Sequence, residues 1–257
     1  MSALGLASVS EDPNRQPPEP ESARESLGAH RAVALIEVLI CADLFTQRAI
    51  GGTLAAFGYQ ALVNGRLDLA YVVILSLADA ILLIALILLI LRTHGERPRE
   101  VLFGRRPIGR EFVAGLPLIV AALALGAAVM LSIQHWLPSL HTVATNPLQE
   151  LLRSPRDAWW FALVVLAAGG LREEIQRAFL LHRFSLWLGG PAVGLAVTSI
   201  AFGAGHLLQG VDAAIATGVL GAFWGAIYLG RRSCLAPIVS HAGFDLVQVA
   251  LFLAAGR

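Results

Sequence analysis

The sequence predicts an all-α, polytopic membrane helix bundle with about seven transmembrane helices, six or eight remaining open. Three observations predict it. Of the 257 residues, 56% are hydrophobic and only 14% charged; soluble domains run near 45–50% apolar and about 25% charged. Apolar stretches approaching the roughly 20 residues that span a bilayer recur from residue 31 onward. The ionisable residues inside those stretches gather into clusters instead of scattering.

The elements follow in order. Residues 1–30 form a polar leader rich in Pro, Ser and Glu, without the basic and apolar regions of a signal peptide, and are expected to be a disordered tail. A lipid anchor is not expected: Ser2 stands where myristoylation needs glycine, and no cysteine lies at the C-terminus. Arg31 to Asn64 is mostly apolar but holds Glu37, Asp43, Gln47 and Arg48, which fits one long tilted helix or two shorter pieces. Leu67 to Leu91 is the cleanest span, with Asp68 at its start and Asp79 inside. Val113 to Trp136 is another. Asn146-Pro147-Leu148-Gln149 reads as an N-cap, N1 proline and N3 glutamine, opening a short amphipathic helix at the interface. Ser154-Pro155-Arg156-Asp157 repeats the signal. The helix it opens can run to about Leu188, where Gly189-Gly190-Pro191 ends it. At ~51 Å it exceeds a ~30 Å hydrocarbon core. Val193–Leu208, Ala213–Leu229 and Leu235–Ala255 complete the count.

All 19 basic residues are arginines. Arg92, Arg97, Arg99, Arg105, Arg106 and Arg110 fill one loop, and Arg231-Arg232 and Arg183 fall at turns on the same side. The positive-inside tendency makes that side cytoplasmic. A net charge of +1 gives no electrostatic case for nucleic acid. Cys41 and Cys234 have no partner motif and read as small buried hydrophobes.

Charge inside a membrane helix costs about 2.5–3.5 kcal/mol per residue on insertion scales. The chain carries it in three places: Arg172-Glu173-Glu174-Ile175-Gln176-Arg177, Phe202 to His206, and His241 to Asp245. Glu173 and Arg177, like His241 and Asp245, are four apart and share a helix face. Counted from the turn near Gly190, Glu173 and His206 lie at nearly equal depth, ~22–26 Å; His241, ~14 Å past Arg232, joins them if the turn near 189 protrudes further. Gly203, Gly205 and Gly243 flank the histidines and leave room for helices, water or a peptide backbone. Structurally, the histidines could be interhelical hydrogen-bonding glue and Glu173 a partner of Arg177. So many desolvated groups on three helices point instead to a site that uses them. Glu37, Asp43, Arg48, Asp68 and Asp79 read as structural pairs or interfacial groups.

With these motifs the sequence resembles the CPBP intramembrane proteases, the CAAX protease and bacteriocin-processing enzymes that include the type II CAAX prenyl endopeptidases. That family's pattern is Glu-Glu-x-x-x-Arg, then Phe-x-x-x-His, then His-x-x-x-Asn or Asp. Glu173-Glu174, Phe202 to His206, and His241 to Asp245 match it in order. Arg177 departs from it, four positions after the first glutamate instead of five. The apolar runs give N-terminal transmembrane helices over 31–140; the resemblance, which covers about residues 155–250, implies a catalytic helical core over 141–257. It implies an endopeptidase acting on a peptide or protein substrate near a CAAX-like or other C-terminus, among membrane lipids. Glu173 would be the general base, His206 would hold the same water, and His241 and Asp245 would face the oxyanion. Glu174 and Arg177 would fix the geometry around Glu173, with Phe202 in support. No cofactor is expected; a zinc set of Glu173, His206 and His241 is the alternative. The rival function is a non-catalytic membrane protein, a scaffold, immunity-type factor or ion-coupled transporter, built on the same polar cluster.

Overall fold

A computed structural model describes residues 21–144 and 146–255. The first 20 residues of the expected tail therefore lie outside the described residues. From Glu21 the chain is already helical, because Glu, Ala, Arg and Leu dominate the segment and all favour helix.

The fold is an all-α bundle. Helix α1 (Glu21–Ile40) and α2 (Leu44–Ala56) form the first traverse as two pieces. They part at Asp43, whose φ is +66°. The Cys41 carbonyl freed at the break accepts from Gln176 Nε2 at 2.7 Å. Backbone groups inside an apolar bundle need such internal partners. A two-strand hairpin (β1 Leu62–Val63, β2 Arg66–Leu67) leads into α3 (Leu69–Thr93). Asp68 caps α3, accepting from Tyr71 N at 2.8 Å. A short α4 (Pro98–Leu102) precedes α5 (Ile108–Trp136).

The segment between α5 and α6 corrects one expectation. Asn146 does not open a helix. Its Oδ1 accepts from Leu148 N at 3.0 Å, an Asx turn, and only a single 3-10 turn at Gln149–Leu151 follows. Ser154 does open one: its Oγ accepts from Asp157 N at 3.2 Å and starts α6 (Pro155–Val164). The long helix that follows is continuous but not uniform. Val165–Glu173 is π-helical, and α7 (Glu174–Trp187) resumes α geometry. Helices α8 (Pro191–Ala204), α9 (Val211–Arg231) and α10 (Leu235–Ala254) complete the bundle. α8 is shorter than expected, and His206 falls on the turn beyond it.

Helices α3, α5, α9 and α10 are each long and apolar enough to cross a membrane. With α1–α2, α6–α7 and the shorter α8, the described residues pass seven times between two ends of the bundle. One end is arginine-rich. There Arg106 donates to the Arg231 carbonyl at 3.1 Å, Arg231 grips Glu111 at 2.8 and 2.9 Å, and Arg183 reaches Glu96 at 2.6 Å. Burial opposes charge on Glu96, but hydrogen bonds from His182 and Arg183 more than offset it and hold its carboxyl below the ordinary value. The other end holds the hairpin, the α5–α6 segment and the α8–α9 turn. Thr142 Oγ1 accepts from Val211 N at 3.0 Å there, and Leu151, Phe161 and Val249 share an apolar cluster with Leu67.

Small residues set the helix spacing beside the π segment. A Cβ on Gly170 would lie 2.5 Å from the Ala242 Cβ and 2.9 Å from its Cα. Gly203 packs in the same way on α9, its Cβ position 2.6 Å from the Ala214 carbonyl, and Gly243 packs on Ile119 of α5. These two glycines therefore bring helices together; they do not open space beside the histidines. Overpacking of this kind costs about 1–3 kcal/mol. Gly170→Ala should lower the melting temperature in detergent by at least ~3 °C. Gly52→Ala, in α2 with nothing within 4 Å of the new carbon, should not lower it. Equal melting curves for the two variants would contradict this packing.

Candidate active site

The three motifs converge on one cavity of about 390 Å³. Glu173 reaches it from the end of the π segment, Phe202 and His206 from α8 and its turn, and His241 and Asp245 from α10. Trp224 of α9 forms part of the wall. The floor lies near the arginine-rich end: Trp224 is seven residues before Arg231, ~10 Å along the helix. The mouth lies at the other end, where Asn146, Gln149 and Gln209 line it.

The two adjacent glutamates have different surroundings. The Glu174 side chain is 1% exposed and lies behind the cavity wall; the Glu173 side chain is 18% exposed and lines the cavity. Glu174 Oε1 accepts from Arg177 Nη1 and, at 2.8 Å, from His241 Nδ1. Arg177 thus reaches the second glutamate at i, i+3, a spacing that shares a helix face as well as i, i+4 does. Its guanidinium lies 4.5 Å over the Phe202 ring. Of the pair, Glu174 bonds His241 directly, and Arg177 bonds Glu174.

His241 is held on every side. Its ring stacks on Trp224 at 3.8 Å and 16°. Trp224 is fixed in turn by Nε1 donating to Ser240 Oγ at 3.1 Å. Because Nδ1 donates to a carboxylate, Nε2 is the nitrogen turned to the cavity. It lies 3.8 Å from Glu173 Oε2 and 3.7 Å from Asp245 Oδ2. His206 is oriented by the backbone, Nδ1 donating to the Phe202 carbonyl at 2.8 Å. Its Nε2 is left unoccupied by that bond. Phe202 meets both histidines edge-on, with ring centroids 4.9 Å from His206 and 6.0 Å from His241. Gly169 makes room for Asp245, whose Oδ2 would lie 2.6 Å from a Cβ there.

All seven residues singled out from the sequence gather here. Among the described residues, no group of three or more His, Cys, Asp or Glu side chains is arranged to hold a metal ion. Sequence reasoning missed Trp224. The signal was present as Gly221-x-x-x-Gly225, a small-residue pair of the kind that draws membrane helices together. A Cβ on Gly221 would lie 2.8 Å from Phe202, and one on Gly225 would lie 2.6 Å from Leu195 and 3.5 Å from Arg177. Arg172, singled out from the sequence only as part of the charged cluster, joins Asp43 at 2.8 Å and Asp79 at 3.0 Å directly beside Glu173.

The fold and site define a membrane-embedded helical bundle with a polar cavity lined by paired acids and histidines. Residues 155–247 match the family model described as Type II CAAX prenyl endopeptidase Rce1-like. The segment that carries all three motifs is thus similar to the Rce1-like type II CAAX prenyl endopeptidases. No curated protein and no solved structure matches the chain.

Removing one partner of a buried ion pair leaves the other uncompensated, at about 3–5 kcal/mol. Glu174→Ala should therefore lower the detergent melting temperature by several degrees, whereas Glu173→Gln should leave it within ~2 °C. Parallel thermal melts check this, and a larger loss at Glu173 than at Glu174 would reverse the assignment of the two glutamates.

Proposed function

We propose that this chain is an intramembrane endopeptidase that hydrolyses a peptide bond with water activated by Glu173 and His206. The observation that carries the reading is the asymmetry of the glutamate pair. One carboxylate is consumed in fixing a histidine, and its neighbour is presented to a cavity beside that histidine. The Rce1-like match over the same residues supports it.

The chemistry follows from the placements. Glu173 would take a proton from a water molecule in the cavity, and His206 Nε2 would hold that water. The hydroxide adds to the scissile carbonyl. With both ring nitrogens protonated, His241 would donate from Nδ1 to Glu174 and from Nε2 to the oxyanion. Asp245 would steady that imidazolium from its Nε2 side. The proton held by Glu173 then passes to the departing amine as the C–N bond breaks, and the carboxyl product forms. Every proton taken up is returned, and no nucleophilic serine or cysteine is needed.

The sidedness of the site follows from the arginines. If the arginine-rich end is cytoplasmic, the cavity mouth opens on the opposite face, and Arg97 and Glu150 lie on opposite sides. Both native cysteines are fully buried. Cysteines placed at Arg97 and Glu150 in whole cells should therefore label selectively, Glu150→Cys alone reacting with an impermeant maleimide. Labelling of Arg97→Cys from outside, with Glu150→Cys protected, would invert the topology.

Glu173→Gln keeps the size and hydrogen-bonding capacity of the side chain but removes the base. General-base catalysis contributes roughly 10²–10⁴-fold. Cleavage of peptides by the purified protein should fall by at least about two orders of magnitude in Glu173→Gln, and His206→Ala should fall comparably. Turnover at the wild-type rate in Glu173→Gln would refute the role of this glutamate and favour the rival reading of the cluster as packing glue or an ion site.

A further inference from the structure

Resting on the protease reading, we propose that the cavity takes an extended, uncharged stretch of peptide from within a longer chain, and does not hold a chain end by its carboxylate. Two features of the cavity argue for this substrate class.

The first is the chemistry of the mouth. Four primary amides line it: Asn146 and Gln149 from the α5–α6 segment, Gln209 from the α8–α9 turn, and Gln248 from α10. A primary amide carries both a carbonyl acceptor and N–H donors, the same pair that a peptide group offers. Asn146 Nδ2 donates to Gln209 Oε1 at 3.1 Å across the mouth, so the two already bond as a peptide backbone would bond to either. Gln209 lies three residues beyond His206, which places a backbone held there next to the proposed water site. Beside the amides the lining is apolar, with Phe161, Leu220 and Phe252.

The second is the charge on the wall. Glu173 and Asp245 present carboxylates to the cavity. Among the described residues lining it, Arg172 is the one guanidinium, and it is already engaged by Asp43 and Asp79. A substrate carboxylate drawn toward the scissile position would meet two acidic side chains and no uncommitted cation, since His241 is held by Glu174 as Arg172 is by Asp43 and Asp79. Recognition of a terminal carboxylate ordinarily uses such a group, through paired charge-assisted bonds. The wall therefore favours an uncharged segment and disfavours a free end.

The test uses one peptide that the purified full-length protein cleaves, in three forms: the free acid, the C-terminal amide, and a version extended by several neutral residues. A site that clamps a carboxylate would lose about tenfold or more in kcat/KM on amidation. The amide and the extended peptide should instead be cleaved within about threefold of the free acid, or faster. A larger preference for the free acid overturns this inference while leaving the protease reading standing; no cleavage of any form removes both. Asn146→Ala and Gln209→Ala should each raise KM several-fold with kcat nearly unchanged, as loss of uniform binding requires, and Gln209→Asn should recover part of the loss. Unchanged KM in both alanine variants overturns the backbone-holding role of the amides.

Discussion

Glu174 sits with 1% exposure inside an apolar bundle, and its Oε1 is shared by Arg177 and by His241 of another helix. A carboxylate so placed has no water to fall back on, so its partners and their spacing are obligatory. Arg177 comes from the same helix, one turn away. His241 comes from α10 and can reach only because Gly170 lets the π segment touch Ala242. The stack of Trp224 on His241 and the cover of Phe202 over Arg177 then close the remaining sides. Much of the geometry around the cavity follows from keeping this one oxygen satisfied.

The same logic makes the α6–α7 run the hub of the molecule. Its buried polar side chains each reach a different neighbour. Arg172 ties to Asp43 at the break between α1 and α2 and to Asp79 of α3. Gln176 takes the carbonyl that the break releases. Arg183 joins Glu37 of α1 at 2.5 Å and Glu96 beyond α3. Apolar packing between helices discriminates weakly in a lipid solvent, because tails are as apolar as leucine. Polar ties at fixed positions supply the register that apolar contact does not.

Much of this was legible in the chain. Long apolar runs mark α3, α5, α9 and α10 because a bilayer imposes length on a helix. Ser154 marks the start of α6 because its cap is local. The three motifs stood out because ionisable groups are costly in such helices. What was not legible depends on partners distant in sequence. Which of Glu173 and Glu174 faces the cavity depends on the rotation of α7 against α10. Asn146 carries the same local signal as Ser154, yet it turns into an Asx turn and a bond to Gln209. Helix periodicity assumes 3.6 residues per turn, so a π segment cannot be seen by counting. The Gly221-x-x-x-Gly225 pair was visible and simply went unread.

The π segment has a consequence for how this chain can vary. An α-helix turns about 100° per residue. Single-turn π elements are found mostly at functional sites, where an extra residue is accommodated without breaking the helix. Regular α geometry over the same rise would hold one residue fewer than Val165–Glu173 does. Wound as a regular α-helix with every residue kept, the run would swing the half that follows by about 100° relative to the half before it. Glu173 would leave the cavity, and Arg172 would leave Asp43 and Asp79. The number of residues between 165 and 173 is itself a structural quantity, as fixed as the identity of Gly170 or Glu173.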